Sequence, residues 1–352
     1  MNMKIGVDLG GTNIRAGLMD GTELIRKEKV SCPAQGSESE VIEAVAGLIG
    51  KLVSEDVDAI GIGVPSVVDT ARGIVYNVAN IPSWVEVHLK DILEERFGIP
   101  VFINNDADLF AYGEAAGGAL PRINRRLREL GSEKQYRNLL GYTFGTGFGF
   151  GFVMDGRLNR GDNSCVETFC LRHRDLPQCI VEEGVAIRAV KRVYRELSGD
   201  ERELEPRDIY NIAEGTMEGN AEAARESFAT LGRVAGDAMA TAVTLMDGVI
   251  VIGGGLTGAS KYFMPALLEE MRSEIATLSG DRLNRVQMRV YNLDDEAEFR
   301  AFAAGGSRRI KVYGSDREVC YDPEKRIGIT ISDIGASAAV SLGAYLYAID
   351  NI

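Results

Sequence analysis

Ile5-Gly-Val-Asp-Leu-Gly-Gly-Thr-Asn-Ile-Arg-Ala-Gly-Leu-Met-Asp-Gly21 is answered 135 residues later by Leu140-Gly-Tyr-Thr-Phe-Gly-Thr-Gly-Phe-Gly-Phe-Gly-Phe-Val-Met-Asp-Gly156, and the two stretches lie over one another without a gap. Each copy reads as an apolar strand, a tight Gly/Thr turn, a second apolar strand and an Asp-Gly turn (Asp20-Gly21, Asp155-Gly156), which is the pattern of a β-hairpin. Two such hairpins predict two related lobes. Glycine adopts positive φ and lets backbone N–H groups approach a ligand closely, while threonine adds a hydroxyl donor. Gly10, Gly11, Thr12 and Asn13 on one lobe, with Gly145, Thr146 and Gly147 on the other, are therefore candidates to grip a polyphosphate from both sides. Either turn alone reads equally well as an ordinary hairpin turn, and it is the repetition that favours a site.

The chain has 352 residues, 45% hydrophobic and 26% charged, enough to bury two α/β cores. Its net charge of -13 argues against a nucleic-acid partner, since backbone phosphates are held by concentrated Lys and Arg. The basic run Arg122-Ile-Asn-Arg-Arg-Leu-Arg128 is followed by Glu129 and reads as a solvated helix face. An anionic nucleotide would then be met by Mg²⁺ and backbone N–H groups. Five cysteines, at 32, 165, 170, 179 and 320, are too few and too uneven for a disulfide framework and point to a reducing cytoplasm. The first glycine turn arrives within ten residues of Met1, leaving no room for a signal peptide, and the apolar run Leu139 to Met154 is too short and glycine-rich to span a bilayer. A soluble protein with no membrane partner is expected.

Beyond the first hairpin, apolar residues at helical spacing predict a helix over Ser37 to Ser54, followed by a buried strand, Ala59 to Val64, ending in Pro65-Ser66. Val85 to Phe97 reads as a helix, Val101-Phe-Ile103 as a strand, and Leu109 to Ala119 as the next helix. Pro121 to Asn138 is polar and reads as a helical excursion between lobes. After the second hairpin come helices near Glu183 to Leu197 and Asn220 to Met246, then a buried strand, Gly248 to Ile252, running into Gly253-Gly254-Gly255. Arg308 to Ile331 reads as an added β-rich segment, and Gly335 to Ala348 as a small-residue helix suited to close packing. Strands alternating with helices predict helix-covered, parallel or mixed sheets.

Asp106 is the candidate catalytic residue. It directly follows a strand, where open α/β sheets deliver side chains to the ligand crevice. Phosphoryl transfer to an alcohol needs one carboxylate to accept the hydroxyl proton, the rest being positioning and charge stabilisation. Asn104, Asn105 and Asp108 surround it with hydrogen-bonding groups, although the same cluster also reads as a helix N-cap. Asp8, ending the first strand beside the phosphate turn, is placed to hold Mg²⁺ through water, or to make an Asx turn. The three glycines after the buried strand would let adenine or ribose lie against bare backbone. Ser66 and Asn80 sit on loops able to present polar groups to a sugar, and Trp84 reads as packing.

In order along the chain, Val7-Asp-Leu-Gly-Gly-Thr-Asn-Ile-Arg15, Val64-Pro-Ser, Ala79-Asn-Ile-Pro, Asn105-Asp-Ala, Gly113-Glu, Phe144-Gly-Thr-Gly-Phe-Gly, Arg160-Gly and Ile252-Gly-Gly-Gly resemble the motifs of the ROK family of sugar kinases. The resemblance covers nearly the whole chain and implies the duplicated ribonuclease H-like α/β fold of the actin-like ATPase superfamily, two lobes around a cleft. It implies ATP-dependent phosphorylation of a glucose-like hexose or an N-acyl-hexosamine, usually at the 6-hydroxyl, by a homodimer. By the same resemblance Asp106 is the general base, Asn80, Asn105 and Glu167 contact sugar, and the two glycine turns grip phosphate. Residues 1–117 plus 335–352 are assigned to a small lobe and 118–334 to a large one, with hinges at Gly113 to Gly118 and before Gly335.

Many members of that family carry a Gly-Glu-x-Gly-His segment and a three-cysteine segment that hold structural zinc. Here Arg160 to Gly184 is shorter, and Glu167 matches either of the two sugar-facing carboxylates of that pattern, leaving Glu182 or Glu183 as a second contact. Cys165, Cys170, His173 and Cys179 match no closed zinc spacing, so buried thiols and a surface histidine are expected instead. Two other readings stand beside the kinase. A family regulator would need a DNA-reading domain before the first turn, and the sequence leaves no space for one. A non-catalytic sugar sensor is opposed by the intact Asp8, Asp106 and paired turns.

Overall fold

The computed structural model describes residues 3–21, 23–78 and 80–352. Ala79, at the head of the Ala79-Asn-Ile-Pro segment, lies outside the described residues. Met3–Leu9 (β1) and Asn13–Asp20 (β2) form the first antiparallel hairpin, and Glu23–Ser31 (β3) extends it. Val57–Val64 (β4) and Val101–Asn105 (β5) join the other side of β1 in parallel, giving the order β3-β2-β1-β4-β5. Glu38–Gly50 (α1) covers this sheet with Val41, Val45, Leu48 and Ile49. It starts in a capping box, in which Ser37 Oγ accepts the Glu40 N–H and the Glu40 carboxylate accepts the Ser37 N–H at 2.7 Å. Leu89–Phe97 (α2) begins later than the sequence suggests, because Glu86–Val87 pairs with Ile74–Tyr76 as a short strand.

The second sheet repeats the plan. Leu139–Phe144 (β6), Phe148–Met154 (β7) and Arg157–Leu158 (β8) form a meander, and Val249–Gly253 (β9) adds parallel to β6. With Arg289–Asn292 (β10) and Arg326–Ile331 (β11) the order is β8-β7-β6-β9-β11-β10, so its first five places match those of the first sheet. Asp155 (φ 49°) and Gly156 (φ 77°) make the two-residue turn from β7 to β8, both at positive φ as a right-twisting hairpin requires.

The structural repeat has a one-residue slip that the gapless sequence match conceals. Leu9 pairs with Ile14 across a four-residue turn, whereas Phe144 pairs with Phe148 across three residues, Gly145 to Gly147. Gly6 therefore faces Gly17, and its counterpart Gly141 faces Gly151, one position earlier than the sequence overlay gives. A shift of one residue turns every side chain of a strand to the other face, so spatial packing, not letter identity, sets this register.

Two helices join the lobes. Asp106–Ala116 (α3) leaves the first sheet and lies against the second, where a Cβ on Gly151 would stand 2.5 Å from the Ala107 carbonyl oxygen. Ala336–Asn351 (α10) returns to the first sheet, passing so close that added Cβ atoms on Gly6 and Gly61 would meet the carbonyl oxygens of Ser341 and Ala344 at 2.0 Å. α10 also crosses α3 through Gly113 and Gly343, the latter with room for no side chain against Leu109. The small residues of α10 thus serve backbone approach, as the sequence suggests.

Ala119–Glu129 (α4) occupies the start of the polar stretch after α3. Its arginines are more engaged than a solvated face would have them, since Arg122 pairs with Asp333 at 2.8 Å and Arg126 pairs with Glu296 and lies 3.8 Å over the Phe299 ring. Ile187–Ser198 (α5), Pro206–Ala213 (α6), Ala221–Met246 (α7), Ser260–Met271 (α8) and Glu296–Ala304 (α9) cover the second sheet. The segment Arg308 to Ile331 is only partly an addition: Arg308–Lys311 and Glu318–Tyr321 form an exposed ribbon, but β11 is a buried strand beside β9. No helix among the described residues is long and apolar enough to cross a membrane.

Candidate active site

Asn105 ends β5 and caps α3, its Oδ1 accepting the N–H groups of Ala107 at 2.8 Å and Asp108 at 3.3 Å. The cap reading is thus borne out at Asn105, which leaves the Asp106 carboxylate outside the cap. With Asn105 occupied, Asp106 becomes the first helical residue, and its Oδ1 accepts only the Ala107 N–H, at 2.9 Å. The predicted helix thus begins three residues earlier than Leu109. Burial, followed by the charge of Asp8, pushes the Asp106 carboxyl up to about 7, against the partial opposing pull of backbone N–H groups.

Asp8 leaves β1 at the cleft and is buried. Ser337 Oγ, at the start of α10, donates to its Oδ2 at 2.5 Å, and Arg15 stands 3.5 Å away. Burial nonetheless holds its carboxyl above the usual range. Asp8 and Asp106 are hard oxygen donors close enough to repel one another, a pair whose charge a divalent cation would relieve. With phosphate oxygens and water completing the shell, Asp8 would suit Mg²⁺. Among the described residues no cluster of three or more His, Cys, Asp and Glu forms a self-contained metal site.

The first glycine turn follows Asp8 directly, and the second closes the corresponding hairpin of the other sheet. Gly10 N–H donates to Asn13 O at 3.0 Å, closing the first turn, and a Cβ on Gly11 would stand 2.8 Å from Asn80 Cβ, so Asn80 backs that turn. Gly145 N–H closes the second turn on Gly147 O at 3.1 Å, and the space above the Gly145 Cα is open. Gly254, at φ 99°, passes within 2.3 Å of Phe144 O for a built Cβ, while Gly255 beside it is open. On the first lobe Asn105 Nδ2 donates to Ser66 O at 3.1 Å, tying that loop to the base of α3.

Glu167 lies in a short 3₁₀ turn, Val166–Thr168, held against β7 by Phe169, whose ring stacks on Phe150 at 4.4 Å. It is buried with Oε2 unpartnered, and burial raises its carboxyl. Asp108, fully buried with neither oxygen partnered, is close enough for Glu167 to push it further up, while Arg160 opposes the rise in both. Asp106, Asp108, Glu167 and Arg160 thus lie near enough for their charges to act on one another.

The structure does not bring Glu182 into that group. Its Oε2 accepts the Phe148 N–H at 3.0 Å and its Oε1 pairs with Arg188 at 2.7 Å, while Arg188 also donates to Thr146 O at 3.1 Å. Glu182, a candidate sugar contact on sequence, has both carboxylate oxygens engaged in bracing the second glycine turn. The zinc candidates are corrected in detail: Cys165 and Cys170 are exposed, and His173 is buried, with Nδ1 accepting the N–H groups of Asp175 and Leu176 at 3.1 Å. Burial lowers its pKa, consistent with a neutral ring acting as an acceptor. Trp84 is fully buried, as expected. Sequence reasoning missed Ser337 and Arg188, which carry no local signal; Arg15 lies within the first motif and was given no role.

A duplicated sheet with one glycine turn per lobe and a carboxylate pair between them defines a two-lobed protein of the actin-like ATPase fold. More narrowly, the sequence model of the ROK family matches residues 4–298, and the chain belongs to that family. It is similar to a crystallised glucokinase from Parabacteroides distasonis, 45% identical with a TM-score of 0.86, covering 100% of this chain and 98% of that one. It is 28% identical to a Streptomyces coelicolor glucokinase over 73% of this chain and 83% of the relative. A ROK family glucokinase from Streptomyces griseus, crystallised with glucose and AMPPNP, shares the fold at 22% identity, with a TM-score of 0.65 over 99% of this chain and 100% of that one.

Proposed function

We propose that the protein is a sugar kinase that transfers the γ-phosphoryl group of ATP to a hydroxyl of a glucose-like hexose or N-acyl-hexosamine, at the 6-position. The observation that carries this reading is the Asp106 carboxyl, pushed up to about 7 by burial and the charge of Asp8, at the first turn of α3. A base with that proton affinity is matched to abstraction near neutral pH.

In this reading Asp106 accepts the sugar hydroxyl proton as the oxygen attacks the γ-phosphorus. The bond from that phosphorus to the β,γ-bridging oxygen breaks and ADP leaves. Backbone N–H groups of Gly10 to Asn13 and Gly145 to Gly147 hold the phosphates, and Gly253 to Gly255 admits the nucleoside. Asp8 would hold Mg²⁺, which when bound supplies charge neutralisation to the phosphates. Ser66, Asn80, Asn105 and Glu167 face the sugar. The lobes, 1–117 with 335–352 and 118–334, close on substrate and keep water from the phosphoryl group. The similarity to glucokinases supports this catalytic reading over a sugar sensor.

The test is ATP-dependent phosphorylation across glucose, mannose, fructose, allose, N-acetylglucosamine and N-acetylmannosamine, with and without EDTA. Turnover that EDTA abolishes and added Mg²⁺ restores is expected. Sugar binding with no product on any substrate would overturn the assignment. Sedimentation will test the homodimer that the family resemblance implies.

A further inference from the structure

Arg160 lies just beyond β8 on the second sheet, yet its hydrogen bonds reach the other lobe. Its Nη1 donates to Thr70 Oγ1, in the turn between the short strands Val67–Asp69 and Ile74–Tyr76, and to Tyr347 Oη at 2.9 Å on α10. The guanidinium also sits 5.4 Å from the centre of the Tyr347 ring, within cation–π range. Both partners are neutral, and no carboxylate stands within 4 Å of Arg160 among the described residues. A guanidinium presents five donors in a rigid fork, so Nε and Nη2 remain unspent.

Asp108 and Glu167, whose buried oxygens include unpartnered ones, lie beyond direct contact with that fork but near enough for its charge to act on both. Such oxygens are costly to leave unmatched, and a nearby cation is what makes their burial tolerable. The arginine therefore has two engagements, one that fixes its position from the opposite lobe and one that balances charge beside the carboxylate assigned to the sugar.

We propose that Arg160 is a positioning residue for the sugar subsite, strapped by Thr70 and Tyr347 so that Glu167 is held in place only when the two lobes stand at the separation seen here. The proposal rests on the sugar-kinase reading for its substrate, but its structural half does not. Separation of the lobes would draw Arg160 off Thr70 or away from Glu167, which couples sugar affinity to closure through one side chain.

The test uses Thr70→Val, Tyr347→Phe and their double variant, none of which touches the carboxylates, with Arg160→Ala and Arg160→Lys. Sugar binding is read by calorimetry, kinetics by separate KM values for sugar and ATP, and lobe separation by small-angle X-ray scattering of the ligand-free protein. The double variant is expected to weaken sugar binding about tenfold, to leave the ATP KM within twofold, and to increase the radius of gyration. Lysine should rescue Arg160→Ala poorly, since a single ammonium cannot reproduce the fork. In the Arg160→Ala background the Thr70 and Tyr347 changes should add nothing. Full additivity in that background, or an unchanged radius of gyration with unchanged sugar affinity, overturns the proposal. Wild-type protein that neither binds nor phosphorylates sugar, while the double variant still opens the lobes, would instead overturn the kinase reading and keep the strap.

Discussion

Replacing Asp106 by asparagine should cost activity and increase stability, in a pH-dependent way that ties both effects to one proton. General-base catalysis typically contributes about 10²–10⁴-fold, so kcat is expected to fall by at least about a hundredfold while sugar and nucleotide still bind. With the carboxyl at about 7, kcat/KM of the wild type should decline below neutrality, by roughly tenfold at pH 6 where about one carboxyl in ten is ionised. Asp8 contributes to that elevation, so Asp8→Asn should move the acid limb to lower pH whatever it does to the maximum.

The stability half follows from linkage. The folded-state value of about 7 lies above the ordinary 3.8, so below 3.8 the proton is bound in both states and no penalty exists. As pH rises from 3.8 to 7 the unfolded chain ionises and the folded chain resists, and stability falls until the full penalty is present above 7. At about 1.36 kcal/mol per pH unit that penalty is on the order of 4 kcal/mol, reduced to about 2 kcal/mol because the side chain is partly open to water. Asp106→Asn should therefore be more stable than wild type by about 2 kcal/mol at pH 8, with the difference vanishing near pH 4. Urea unfolding at the two pH values measures it. A variant that keeps turnover within tenfold of wild type, or shows the same stability difference at both pH values, would refute the reasoning.

Glu182→Gln and Arg188→Ala should raise the ATP KM several-fold and leave the sugar KM unchanged, because both residues brace the second glycine turn; steady-state kinetics with each substrate varied separately decides this. Glu167→Gln should do the opposite, raising the sugar KM about tenfold with the ATP KM intact, a loss on the scale of about 1.4 kcal/mol. Gly254→Ala should destabilise by at least about 2 kcal/mol, since a Cβ at φ 99° is strained and would press on the Phe144 carbonyl at 2.3 Å; a lowered urea midpoint with unchanged m-value is the expected readout.

Much of this architecture is legible in the sequence because hairpins, caps and buried strands are written locally. The Asp-Gly turn at 155–156, the Ser37 capping box and the apolar run before Gly253 each follow from contacts within a few residues. Even the placement of Asp106 at a strand-to-helix junction is legible, because strand, cap and helix are consecutive. The start of α2 was misjudged where a short strand won: Glu86 and Val87 are recruited by Tyr76 and Val75, ten or more residues away. The partners of Glu182 were illegible for a similar reason, since the acidic pair 182–183 carries no mark of which oxygen acceptor the turn at Phe148 would claim. The Arg308 to Ile331 stretch looked uniform because strand propensity does not distinguish an exposed ribbon from a sheet strand.

The sequence by itself determined that the protein has two related lobes, that each begins with a glycine-turn hairpin, and that a carboxylate follows a buried strand between them. Tertiary structure alone decided the one-residue slip between the hairpins, the meeting of Asp8 with Ser337, and the reach of Arg160 to Thr70 and Tyr347. Periodicity and turn chemistry act over a few residues and leave a pattern in the letters. Contacts between residues far apart in the chain depend on how helices and sheets close over one another, and any residue of suitable shape and polarity serves at either end.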